Sequence, residues 1–187
     1  MKNKIIYLGL SILTFTTILT SSVFANSSAL KNSFNSGNDL VNYYNIPKAQ
    51  GEEYKLEDFD IYFLEPTTKI NDNSSKITMI ASSSINKVYS KDYIIKASTH
   101  ARYKDELRTV DNIGVTGSFY EKDKEQDNWG YSFSVDEKRT NAADVQKEKT
   151  LVFPEKYMRL FSTHTIETKN YEKMKLERDI EQKRSWF

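Results

Sequence analysis

Cysteine is missing from this 187-residue chain. That excludes a disulfide scaffold. It also excludes a thiolate nucleophile, and with it cysteine-protease and cysteine-dependent sortase chemistry. Anchoring through a lipid-modified cysteine is excluded for the same reason. Histidine is nearly missing too, since His100 and His164 are the whole complement of 2. No H-E-x-x-H and no H-x-H is present, and no carboxylate stands close beside either ring in sequence. No metal-ligand pattern is therefore complete. G-x-S-x-G, the nucleophile elbow, does not occur. Gly114-Val115-Thr116-Gly117-Ser118 is glycine-rich but lies on an alternating stretch. Without a following helix and a lysine it is not a phosphate loop. No repeat stands out at solenoid periods.

Charge of one sign is also lacking. The chain has 27 basic and 26 acidic side chains. That balance gives no global attraction to nucleic acid or to an anionic membrane.

The start of the chain has the pattern of an export signal. Lys2 and Lys4 form a short positive region, Ile5–Leu19 is almost wholly apolar, and Ser22-Val23-Phe24-Ala25 offers small residues for a signal peptidase. The apolar run is shorter than the ~20 residues a membrane-spanning helix needs. Cleavage after Ala25 rather than retention as an anchor is the expected outcome. Removing 25 of the 187 residues leaves 162, and removing both lysines leaves 25 basic against 26 acidic side chains. A secreted, extracellular protein with no stable membrane span follows as the expectation. Export without cysteine fits a Gram-positive bacterium that does not rely on oxidative folding.

The most regular stretch is Tyr93–Tyr103. Tyr93, Ile95, Ala97, Thr99, Ala101 and Tyr103 alternate with Lys96, Ser98, His100 and Arg102. Period-two alternation of this kind marks a half-buried strand, with a basic polar face turned to water. Ile77–Tyr89 reads as a second strand, and Ser90-Lys91-Asp92 as the tight connection of an antiparallel hairpin. Asp58–Glu65 is apolar on both faces and stops at Pro66. Ile113–Glu121 and Tyr131–Val135 form another hairpin around the turn chemistry of Asp127-Asn128-Trp129-Gly130.

Less regular segments read differently. Residues 26–38 are Ser/Asn-rich and read as a disordered tether. Asp39–Asn45 suits a short helix capped by Asn38 or Asp39. Residues 136–150 read as a polar loop with at most one helical turn, and Tyr157–Thr168 is ambiguous with β-branched character in its second half. From Asn170 the charged run with a thin apolar stripe suggests a terminal helix, closed by Trp186-Phe187 docking onto the core. The fold class is thus mainly β, with α+β as the wider option. The architecture is an antiparallel sandwich or a strongly curled sheet of hairpins with short terminal helices, in one domain over residues 39–187.

Candidate chemistry is sparse. His100 and His164 share a short echo, Ser98-Thr99-His100 and Ser162-Thr163-His164. If their strands were neighbours the imidazoles could converge on a metal or act as acid and base. Against that, His100 shares its face with Lys96 and Arg102, which disfavours a bound cation and marks it as a surface residue. Asp123, Glu125 and Asp127 begin a calcium-loop pattern, but Asn128 stands where glycine is needed and Ser134 where the bidentate glutamate belongs. Asp58, Asp60, Asp105 and Glu106 could pair in a groove for glycoside hydrolysis. No cofactor is expected.

Aromatics are the one abundance, with 12 tyrosines among them. Trp129, Tyr120 and Tyr131 cluster at one hairpin tip, where an apolar body and polar edge suit a platform for sugars or peptides. The leading expectation is a non-catalytic binding protein acting outside the cell or at its surface, on an extracellular protein or a cell-wall glycan. A small secreted hydrolase using carboxylates or the histidines is the alternative. A toxin or bacteriocin-like effector is the third, because the Ser/Thr-rich alternation of Ile77–Tyr89 is similar in texture to the membrane-inserting hairpins of β pore-forming toxins.

Overall fold

The computed structural model describes residues 28–48, 53–67, 76–88, 92–103 and 106–184. The stretch expected to be an export signal and Trp186-Phe187, expected to dock on the core, lie outside them. No helix among the described residues is long and apolar enough to cross a membrane.

Strands dominate, and among the described residues all pairing is antiparallel. The first sheet is built from β1 (Phe59–Leu64), β2 (Ile77–Lys87) and β3 (Asp92–Tyr103). On its far side β3 pairs with the two-residue β4 (Glu106–Leu107) and with β7 (Asp144–Val152). The second sheet has the order β6 (Gly130–Ala142), β5 (Val110–Lys122), β8 (Tyr157–Glu167), β9 (Met174–Lys183). The sheets pack face to face, through contacts of β2 and β3 with β5, β8 and β9. The expected sandwich is therefore the architecture.

Alternation decides what enters the space between the sheets. The odd positions of β2 and β3 and the even positions of β8 and β9 point inward. They make one apolar cluster around Met79, Ala97, Ile113, Val115 and Ile166, and another around Tyr93, Ile95, Phe119, Met158 and Leu160. Each fully buried aliphatic or aromatic side chain contributes about 1.5–3 kcal/mol by leaving water.

A third layer covers the outside of the first sheet. It comprises α1 (Ser28–Lys31), α2 (Gly37–Tyr43) and a 3-10 turn (Leu56–Asp58). A helix of seven residues is marginal in water. Here Leu40, Val41, Tyr44 and Ile46 pack with Tyr54 onto Phe59, Ile61 and Ile80 of the sheet. The Ser36 side chain caps the helix by accepting from the Asp39 N–H at 3.1 Å. Gly37 allows the close approach, since a Cβ there would lie 2.4 Å from the Tyr54 carbonyl oxygen. The cap is thus Ser36, not Asn38 or Asp39. The described part of the expected tether carries α1 and the start of α2, with Lys31 Nζ 3.5 Å from an Asp60 oxygen.

Two further expectations are corrected. Residues 136–150 are strand: β6 runs on to Ala142 and β7 follows. Beyond Val135 β6 carries no large apolar residue, and backbone pairing to β5 holds it. The segment from Asn170 is strand β9 rather than helix. Its Met174 and Arg178 are buried and Leu176 and Ile180 half-buried, while Lys175, Glu177, Asp179 and Glu181 face water. That is a period of two, and Asn170 takes a positive φ of 68° in the turn before it. The hairpin of β5 and β6 stands in the opposite sheet, and the second neighbour of β3 is β7.

Candidate functional site

The structure separates the two histidines. His164 is on the inner face of β8, inside the sandwich. Its Nε2 lies 3.1 Å from Ser83 Oγ and 3.0 Å from Ser162 Oγ, and its Nδ1 lies 3.0 Å from Thr99 Oγ1. Thr99 spends its hydroxyl proton on the Gly114 carbonyl at 2.9 Å, so it accepts from His164 Nδ1–H. This assigns the tautomer: Nε2 is bare and accepts from a serine hydroxyl. Ser83 and Ser162 are themselves 2.5 Å apart. Burial, and then the charge of Arg178, push the pKa of His164 down to about 3. A serine beside a neutral imidazole resembles a nucleophile with its base. Here Ser162 and His164 are fully enclosed, so no substrate can reach them. The cluster satisfies polar groups within the core.

His100 lies on the opposite face of the first sheet. Its Nε2 is 2.9 Å from Ser98 Oγ, which is 2.7 Å from Ser82 Oγ. Its Nδ1 is buried with no partner among the described residues. Burial first, then the charges of Arg102, Lys96 and His164, push its pKa down to about 3. The expected surface position of this residue is corrected: His100 is 2 % exposed. The whole basic face of β3 is buried under the N-terminal layer. Arg102 donates from Nε to the Tyr44 carbonyl at 2.7 Å and from Nη2 to the Asn45 carbonyl at 3.4 Å. It thereby satisfies carbonyls left open at the C-terminal end of α2. Lys96 Nζ donates to Tyr54 Oη at 2.8 Å. These cations clamp the helix layer to the sheet. Nothing brings the two rings to a shared ligand, and among the described residues no group of three or more His, Asp or Glu is placed to hold a metal.

Of the other acidic candidates, Asp127, Asp60 and Asp58 are engaged locally. Asp127 Oδ2 accepts from the Lys124 N–H at 3.0 Å within a tight turn. Asp60 pairs with Arg178 of β9. Asp58 Oδ2 accepts from the Lys55 N–H at 2.9 Å, and burial raises its pKa. Asp58 lines a cleft of about 250 Å³ with Lys55, Glu57, Ser84, Asn86 and Glu181. Asp105 lies outside the described residues, and Glu106 is exposed on β4.

The aromatic residues do come together. A register shift between Phe119 and Tyr120 places Tyr120 opposite Tyr131 on the outer face of the second sheet. Their ring centroids are 5.7 Å apart at 71°. Trp129 stands in the loop just before β6, with Lys122 Nζ 4.5 Å and Arg159 Cζ 5.8 Å from its ring centroid. Cations at such distances from an indole are attracted by its ring quadrupole. β8 adds Tyr157, which sequence reading missed. The register aligns Lys122 with Tyr157 and Tyr157 with Lys183 across three strands. The next row aligns Tyr120 with Arg159 and Arg159 with Glu181. Arg159 is held by Asp179, to which its Nε donates at 2.7 Å. Unlike the first sheet, this outer face carries no further layer among the described residues: Thr116, Tyr131, Ser134, Asp136, Glu177 and Asp179 along it are all exposed.

No protein-family model and no curated protein matches the sequence.

Proposed function

We propose that the protein is a secreted, non-catalytic binding protein that works outside the cell or at its surface, through the open face of its second sheet. The observation that carries this reading is the gathering of Trp129, Tyr120, Tyr131 and Tyr157 at one end of that face. Tyr131 is 60 % exposed although large and aromatic. Aromatic rings fixed on strands present contact area at little conformational cost, and their polar edges remain free for hydrogen bonds. The half-buried Ser118 and Thr163 extend the face with hydroxyls. That combination of flat rings and neighbouring hydroxyls suits a cell-wall glycan. The buried state of both histidines and the structural bonding of Asp58, Asp60 and Asp127 favour binding over hydrolysis.

The test is retention on a cell-wall fraction of the secreted chain and its Trp129→Ala variant. Trp129 is half-buried in a loop, as are Lys122 and Arg159 beside its ring, so the variant should fold as the parent does. Retention should fall by roughly tenfold, the scale of losing one aromatic contact at the centre of a binding patch. Equal retention overturns the platform.

A further inference from the structure

Beside the aromatic platform lies an unusual convergence of positive charge. Lys122 Nζ, Lys156 Nζ and Lys183 Nζ stand 5.6, 5.8 and 5.5 Å from the ring centroid of the same residue, Tyr157. No two of these ammonium groups can therefore be further apart than twice 5.8 Å. Three strand positions and one loop create the cluster. Lys122 and Lys183 come from β5 and β9, on either side of Tyr157 in β8. Lys156 comes from the link that precedes β8.

The surroundings hold that link in place. The Glu155 N–H donates to Glu121 Oε1 at 3.3 Å, and the Arg184 N–H donates to the Lys156 carbonyl at 2.7 Å. The cluster is thus on braced backbone rather than on a free tip. None of the three lysines forms an ion pair with a described residue, although Lys122 donates to the Glu125 carbonyl at 2.6 Å. Arg159 nearby is different, because Asp179 and Glu181 neutralise it. Like charges at separations comparable with the screening length of ordinary salt still repel, and ring attraction offsets that only in part. An anion between them would remove the repulsion.

We infer that the platform's ligand is a polyanionic polymer, with its phosphate groups held by Lys122, Lys156 and Lys183 around Tyr157 and its sugar or polyol units lying on Trp129, Tyr120 and Tyr131. This deepens the reading of a glycan-binding face and rests on it. Lysine suits phosphate as a mobile point charge that needs no fixed fork geometry. The near-neutral chain makes the local concentration of charge a matter of placement rather than composition.

The experiment uses the secreted chain and three probes: sodium tripolyphosphate, a phosphate-containing cell-wall polymer, and phosphatidylglycerol vesicles. Binding is followed by calorimetry and by amide shifts in NMR spectra. Saturable tripolyphosphate binding is expected, with shifts at Lys122, Tyr157 and Lys183 and a marked loss on raising salt. The Lys122→Ala, Lys156→Ala, Lys183→Ala triple variant should bind about tenfold more weakly, the scale of losing three exposed charge contacts. Lys183→Glu alone, at an exposed strand position, serves if the triple variant is unfolded, and should weaken binding at least as much per site. Failure of tripolyphosphate to saturate, or equal affinity in the charge variants, overturns the inference. Binding to vesicles but not to the soluble polyanions overturns it too, in favour of a membrane surface. If Trp129→Ala loses the wall fraction and the lysine variants do not, the platform stands and its ligand is not anionic. If the lysine variants alone lose it, the anion site stands without the platform.

Discussion

The outer faces of the two sheets began with similar chemistry and ended differently. Lys96, Ser98, His100 and Arg102 alternate along β3, and Tyr157, Arg159, Phe161 and Thr163 alternate along β8. The first set is buried under α2 and the 3-10 turn. The second set is half-buried and meets solvent. Arg102 is wholly enclosed and spends its guanidinium on backbone carbonyls, whereas Arg159 pairs with carboxylates near the surface. One arginine is a structural clamp and the other belongs to an accessible surface. Alternation tells which side chains share a face, and leaves open whether anything lies on that face.

The sharpest way to break the comparison is acid. Both imidazoles have folded-state pKa values pushed down to about 3 from an ordinary 6.5. The unfolded chain therefore binds more protons between these values, so stability falls as pH drops from about 6.5 toward 3. It is fully present above 6.5. At pH 4.5 the loss should be roughly 2–3 kcal/mol for each histidine, from about 1.4 kcal/mol per pH interval. Urea midpoints at pH 7 and 4.5 measure it. The His100→Gln, His164→Gln variant should show a distinctly flatter dependence, and an unchanged slope would refute the burial of both rings.

Next in size is Arg102 against Arg159. Arg102→Ala strips the carbonyls of Tyr44 and Asn45 of a buried charged donor, and should cost about 2–3 kcal/mol. Arg159→Ala removes a surface ion pair and should cost less than about 1 kcal/mol. Denaturant unfolding of the pair checks the contrast, and equal costs would erase the distinction between the faces.

The smallest change tests the covering layer directly. Gly37→Ala sets a Cβ against the Tyr54 carbonyl, so the helix must shift outward. A loss of about 1–2 kcal/mol is expected, on the scale of overpacking a tight site. It should be accompanied by faster amide exchange in α2 and unchanged exchange in β5 and β8. Equal exchange in all three would mean that the layer does not depend on this close approach.

Much of the sandwich was legible. Tyr93–Tyr103 and Ile77–Tyr89 declared their hairpin because each carries enough apolar residues at alternate positions to fill one face. The hairpin of Ile113–Glu121 with Tyr131–Val135 was legible too, but the second half of β6 and all of β7 were hidden. Asp136–Ala142 has no large apolar residue to mark an inner face, and β7 has only Val145, Leu151 and the exposed Val152. Backbone pairing with β5 and β3, which no local pattern displays, supplies their hydrogen bonds. β9 was misread because Tyr171 and Met174 stand three apart and Leu176 and Ile180 four apart, spacings that also suit a helix. Of the site, Trp129, Tyr120 and Tyr131 were visible since a hairpin tip brings neighbours in sequence together. Tyr157, Lys156 and Lys183 were not, because strand order alone places them beside Lys122.

What the sequence by itself determined is the pleat: which residues of Tyr93–Tyr103 point one way and which the other. That follows from backbone geometry, in which successive side chains leave opposite sides of a strand. What tertiary structure decided is where each side leads. Leu40, Val41 and Tyr44, some fifty residues earlier, needed an apolar surface and took the outside of the first sheet. That burial carried Lys96, His100 and Arg102 out of water. Among the described residues the second sheet carries no such cover, and Tyr157, Arg159 and Tyr131 on its outer side stay half-buried or exposed.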